Sequence, residues 1–104
     1  VKISFYKNEK GRTPFDEWIQ SLDKQTEFRI HDRIDRIEEY GFLGDCRRLN
    51  DKIYELRFHF GAGYRVYFSY LAPEEIFILC GGDKSSQSKD IKKALEYLEE
   101  SQND

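Results

Sequence analysis

Apolar and polar positions alternate over residues 2–7 (Lys2-Ile3-Ser4-Phe5-Tyr6-Lys7), the period of a short opening strand. Residues 8–12, with Gly11, read as a turn. Thr13 and Pro14 then supply an N-cap and a first helical position, and Asp16 and Glu17 follow where a helix favours negative charge. Phe15, Trp18, Ile19 and Leu22 recur at the spacing of one helical face. Asp23 is placed to cap a second helix, whose apolar positions are Ile30, Ile34 and Ile37, and Gly41 supplies its stop. A connection this tight predicts an antiparallel helical pair. Residues 41–52 read as a loop. Three strand-like runs follow at 53–60, 64–70 and 75–80, divided by Gly61-Ala62-Gly63 and Ala72-Pro73-Glu74, so they predict an antiparallel meander. After Gly81-Gly82, Ser85 or Ser86 caps a last helix with Ile91, Ala94, Leu95 and Leu98 on its face; residues 101–104 are expected to fray.

This order predicts one α+β domain over residues 1–104: an N-terminal strand, a helical hairpin, a three-stranded antiparallel meander and a C-terminal helix, with the helices covering one face of a curved sheet. A chain of 104 residues has a modest core, helped by an aromatic content of 15%.

The charge pattern changes the picture in one place. Charged residues make up 36% of the chain and the net charge is −3, which argues mildly against nucleic acid. Yet between Cys46 and Leu71 five cations (Arg47, Arg48, Lys52, Arg57, Arg65) face two carboxylates (Asp51, Glu55), and the acidic excess lies in the helices and the tail, Glu96, Glu99, Glu100 and Asp104. Screening separates such regions beyond about 8–10 Å. Cys46 and Cys80 are too few and too far apart for a disulfide framework or a zinc site. The first ten residues show no signal-peptide pattern, and no apolar run approaches the roughly 20 residues of a membrane span. The expectation is two reduced thiols in a cytoplasmic protein that needs no metal or other cofactor.

Strand alternation sorts the candidate chemistry. Tyr54, Leu56, Phe58 and Phe60 share one face with Tyr64, Val66, Phe68 and Tyr70 of the next strand. Glu55, Arg57, Arg65 and Tyr67 occupy the other, together with His59 and Ser69, and this face is expected to be open to solvent, with Lys84 at the same end of the sheet. Side chains on neighbouring strands lie about 5–8 Å apart, so these groups converge. Guanidinium groups hold a phosphate and stabilise the charge that grows on it during cleavage; a carboxylate such as Glu55 accepts a 2′-hydroxyl proton; Tyr67 stacks on a base. Gln87, Lys89 and Lys93, with Arg47 and Arg48, are further candidate RNA contacts. The same pattern equally fits a solvated sheet face with ordinary ion pairs, a glycine pair that marks a turn, and a basic outer face on the last helix. His59 fits a local pairing better than catalysis, and His31 a helix boundary.

Three segments taken in order resemble a known group: Ile53-Tyr54-Glu55-Leu56-Arg57; Gly61-Ala62-Gly63-Tyr64-Arg65-Val66-Tyr67-Phe68; and Leu79-Cys80-Gly81-Gly82-Asp83-Lys84-Ser85-Ser86-Gln87-Ser88-Lys89-Asp90-Ile91, with Phe15 and Trp18 at the front. The chain resembles the HigB-like branch of the RelE/ParE toxins, the addiction-module killer proteins, over nearly its whole length. The resemblance implies a RelE-like fold and a type II toxin that cuts messenger RNA on the ribosome without a metal, silenced by a helix-turn-helix, HigA-like antitoxin. It implies that Arg65 contacts the scissile phosphate, that Lys84 is a second cation and that Arg57 is a further contact. At the start of the C-terminal segment, where RelE-type enzymes often carry Tyr or His, this chain offers Gln87 and Asp90, so acid and base stay unassigned. The ParE branch shares the fold but poisons DNA gyrase, and a non-enzymatic interaction domain is a third reading.

Overall fold

The computed structural model describes residues 1–103; the expectation for Asp104 lies outside the described residues. The elements are β1 (Lys2–Phe5), α1 (Pro14–Gln20), α2 (Lys24–Tyr40), β2 (Cys46–Arg48), β3 (Tyr54–Arg57), β4 (Arg65–Ala72), β5 (Glu75–Gly82) and α3 (Gln87–Gln102), with a short 3-10 turn at Lys84–Ser86 before α3. The fold is α+β, as the element order implies.

The local signals account for most boundaries. Asn8 closes the first turn, accepting from the backbone N–H of Lys10 and Arg12 at 3.0 and 2.9 Å. Thr13 stands at the N-cap of α1, but its hydroxyl makes no capping bond; Pro14 at the first position starts that helix. Asp23 caps α2 by accepting from the Thr26 N–H at 2.8 Å, and Gly41 ends it in the left-handed region at φ 74°. α3 continues through Ser101 and Gln102, with the Ser101 hydroxyl donating to the Leu98 carbonyl, so the expected fraying of 101–102 is corrected.

The sheet has five strands in the order β1-β5-β4-β3-β2. β2 to β5 form an antiparallel run, and β1 lies parallel to β5. β2 falls in the segment expected to be a loop. Three residues are too few to display an alternation, and the strand exists because β3 offers it an open edge. β3 stops at Arg57 and not at 60: the Phe58 N–H still bonds the Tyr64 carbonyl, but the chain then turns through Gly61 and Gly63, both at positive φ.

The larger correction concerns the layers. α1 and α2 pack on one face over Leu56, Val66, Phe68 and Ile78. α3 lies on the opposite face, where Ala94 and Leu98 bury Ile53, Tyr67 and Leu79. The face expected to be wet is therefore largely a second core. β5 carried the signal: Ile76-Phe77-Ile78-Leu79 is apolar without alternation, the pattern of a strand covered on both sides. A bulge at Leu79, between the pairs Phe68↔Ile78 and Tyr67↔Cys80, turns both Leu79 and Cys80 toward α3.

Gly81 and Gly82 close the sheet by letting both layers approach. A Cβ on Gly81 would meet the Trp18 ring at 2.3 Å, and one on Gly82 would meet the Asp90 carboxylate at 1.8 Å. The pair is thus part of a strand and not the turn expected from sequence.

Candidate functional site

β3 and β4 lay Arg57 directly opposite Arg65, because their register pairs Leu56 with Val66 in the core. The turn after β3 and the chain after β5 curl around these two strand ends. Together they line an open groove of about 610 Å³ that contains Arg57, His59, Phe60, Gly63, Arg65 and Lys84. Three cations expected to converge are thus in one cavity. Lys84 is exposed and makes no ion pair among the described residues; its backbone N–H reaches the Ala62 carbonyl at 3.4 Å, tying the chain after β5 to the turn.

Each arginine is oriented by its own carboxylate. Arg57 donates to Asp45 Oδ1 from Nη2 at 3.1 Å and from Nε at 3.3 Å. Arg65 donates from Nη1 to the Gly63 carbonyl at 2.7 Å, and its Nε lies 3.4 Å from Glu55 Oε2, an ion-pair separation without hydrogen-bond geometry. Only 14% of the Arg65 side chain is exposed.

His59 joins this set through a pairing of the kind expected of it, with a partner the sequence did not single out. Its Nε2 meets Asp45 Oδ2 in a short contact, so one carboxylate bridges His59 and Arg57. Hydrogen bonds from these two partners hold the Asp45 carboxyl below its usual range. The Asp45 carbonyl accepts from the Arg57 N–H and from Arg33, which also reaches the carbonyls of Leu43 and Arg57 and sits over the Phe58 ring. The alternation Glu55, Arg57, His59 put the histidine on the right face. Asp45 gave no signal, because its position depends on the pairing of β2 with β3.

The expected exposure of Glu55 and Tyr67 is overturned: both are 0% exposed. The cause is α3, whose first residue, Gln87, donates to Glu55 Oε2 at 2.8 Å. Glu55 Oε1 and the Tyr67 hydroxyl have no partner among the described residues. Burial, then the nearby Glu55 charge, pushes the Tyr67 phenol well above its ordinary value. Covered in this way, Glu55 cannot accept a substrate proton and Tyr67 cannot stack on a base. Gln87 is likewise engaged with Glu55 and does not line the groove.

The other candidate contacts are spread out. Arg47 and Arg48 are exposed on the edge strand β2, and Arg48 is occupied by the Asn50 carbonyl and by Asp51. Lys89 is exposed on α3, and Lys93 lines a separate cleft. Cys46 and Cys80 are free; burial pushes the Cys80 thiol up to about 12, which leaves it inert. Among the described residues no group of three or more His, Cys, Asp or Glu side chains is placed to hold a metal, and no helix is long and apolar enough to cross a membrane.

Residues 17–99 match the family described as Phage derived protein Gp49-like (DUF891). An uncharacterized protein of Haemophilus influenzae is 44% identical over 86 residues, covering 82% of this chain and 86% of its own length. The matched segment contains Asp45, Arg57, His59, Arg65 and Lys84.

Proposed function

The chain belongs to the Gp49-like family of phage-derived proteins, a family associated with the toxins of toxin–antitoxin systems, and on that premise we propose that it is a HigB-like toxin that cuts messenger RNA on the ribosome. The observation that carries this reading is the groove in which Arg57, Arg65 and Lys84 stand beside a histidine held by a carboxylate.

In this reading the cations hold the non-bridging oxygens of a phosphodiester and stabilise the charge that develops on them. His59 takes the 2′-hydroxyl proton as that oxygen attacks phosphorus; the bond to the 5′-oxygen breaks, and the leaving oxygen takes its proton from solvent. The products are a 2′,3′-cyclic phosphate and a free 5′-hydroxyl. With Nε2 on Asp45, Nδ1 is the ring nitrogen left for substrate, and Asp45 stabilises the imidazolium once it forms. The ribosome supplies the message, the cytoplasm is the place of action, and a helix-turn-helix, HigA-like antitoxin encoded beside the gene keeps the toxin silent.

The test is expression without antitoxin. Growth should stop, and primer extension should show breaks inside translated messages. Lys84→Ala and Arg57→Ala should relieve both. These variants are cleaner than Arg65→Ala, which would strand the buried Glu55 carboxylate at a cost of about 3–5 kcal/mol. Intact messages together with a DNA-damage response would point to gyrase as the target and overturn the nuclease reading; no effect on growth would leave an interaction domain.

A further inference from the structure

Beside the groove, between α1, the end of β5 and α3, lies a second cleft of about 430 Å³. We propose that it is a subsite for the nucleotide next to the cleaved phosphate, one that selects a base bearing an exocyclic amine; the assignment rests on the RNA-cleaving reading of the groove. Four observations carry it.

The first is an open sheet edge. β1 pairs with β5 only as far as Ile78, and the last bond across is from the Tyr6 N–H to the Ile78 carbonyl. Among the described residues the outer edge of Cys80 and Gly81 therefore has no strand beside it, and both residues line the cleft. Two residues are too short an edge to add a peptide strand; the space over Gly81 is taken by the Trp18 ring, so what this edge offers a ligand is its backbone polar groups.

The second is the pair of aromatic walls, Trp18 and Tyr97. Single-stranded bases are held by such walls through stacking. Trp18 is also the start of an aromatic row that leads to the groove: it meets Tyr64 edge-on at 6.3 Å, and Tyr64 meets Phe60 at 5.6 Å. Phe60 lines the groove itself.

The third is a carboxylate with one oxygen still open. Asp90 is only 8% exposed. Its Oδ2 takes the Ser86 hydroxyl, and its other oxygen has no hydrogen bond among the described residues, though the residue lines the cleft. A carboxylate accepts from the N4 amine of cytosine, and uracil presents no such amine.

The fourth is the charge balance. Arg12 and Lys93, both exposed, share the cleft with Glu17 and Asp90. A simple anion has no use for the carboxylates, nor a simple cation for the basic groups. A nucleotide with an amine-bearing base uses both, its phosphate on Arg12 and Lys93 and its base on Asp90. The cleft is also in step with the groove: Gly81 precedes Gly82, the pairing partner of Arg65, and Lys84 follows two residues later.

Trp18 is the single tryptophan, so its fluorescence reports on the cleft directly. Cytidine 5′-monophosphate should change it saturably, and uridine 5′-monophosphate should bind roughly fivefold more weakly, the discrimination of one hydrogen bond to a base. Arg12→Ala and Lys93→Ala, both at exposed positions, should each weaken cytidine monophosphate by about fivefold through loss of a charge-assisted phosphate contact. Asp90→Asn should erase the difference between the two nucleotides. A fluorescein-labelled, 2′-O-methyl tetranucleotide, which cannot be cleaved, measures RNA binding independently by anisotropy. If this RNA binds and Arg57→Ala weakens it while Trp18 stays silent, the subsite is wrong and the groove reading stands. If Trp18 responds as described but messages stay intact in cells, the subsite stands and the nuclease reading falls. A response to N-acetylarginine amide with both nucleotides silent would overturn the subsite in favour of an arginine from a protein partner.

Discussion

Arg57 and Arg65 face each other as pairing partners on β3 and β4, and each leans on a different carboxylate, Asp45 at 3.1 Å and Glu55 at 3.4 Å. Like charges set opposite one another on a sheet repel. The two anions behind them hold the pair in place, and Lys84, which also lines the groove, makes no ion pair among the described residues.

If His59 carries the proton transfer, His59→Ala should lower the rate of message cleavage by about 10²–10⁴-fold, the usual worth of a positioned acid–base group. Binding of uncleavable RNA should change little, because the phosphate contacts stay. Single-turnover cleavage on programmed ribosomes, beside anisotropy, checks both halves. Equal losses in binding and rate would make His59 a contact and not a proton carrier.

The Asp45 carboxyl is held below its usual value of 3.8 by hydrogen bonds from His59, then Arg57. A carboxyl depressed in the folded state contributes stability that is present above the unfolded value and is lost as pH falls through the folded one. Urea midpoints should therefore drop below about pH 4, the range of an unperturbed Asp. Asp45→Asn should flatten part of that slope, and only part, because Asp23 and Asp83 are lowered by their own capping bonds. An unchanged slope in Asp45→Asn would mean that the bridge to His59 and Arg57 does not form in solution.

Tyr67 buries a hydroxyl with no partner among the described residues. Removing an unsatisfied buried polar group recovers its desolvation penalty, about 1 kcal/mol or somewhat more. Tyr67→Phe should therefore be as stable as the parent or more so, and equally toxic. A clear loss of stability in denaturant would show that the hydroxyl has a partner after all, and a loss of toxicity alone would return Tyr67 to the substrate.

Gly81→Ala puts a methyl group 2.3 Å from the Trp18 ring, which is wedged against the sheet. Overpacking of this kind costs about 1–3 kcal/mol. The melting temperature should fall, and Trp18→Leu in the same chain should restore part of it by making room. No fall in the single variant would mean that α1 stands further from β5.

The sequence by itself determined the local elements. Periodicity located all three helices, Asp23 and Gly41 bounded α2, and the alternation along β3 and β4 put Arg57, His59 and Arg65 on one side. These features depend on residues near in sequence, so they are legible without a partner. Three things required the tertiary structure. β2 exists only because β3 lends it an edge, and with it comes the position of Asp45 under His59 and Arg57. α3 chose the second face of the sheet, which turned Glu55 and Tyr67 from solvent groups into core and left only the strand ends open. The cleft beside the groove draws its walls from α1, β5 and α3, far apart along the chain. A charged residue on a strand reads the same whether water or a helix lies above it; what covers it is a property of the packed chain, and here that covering decided which charges stay open to solvent.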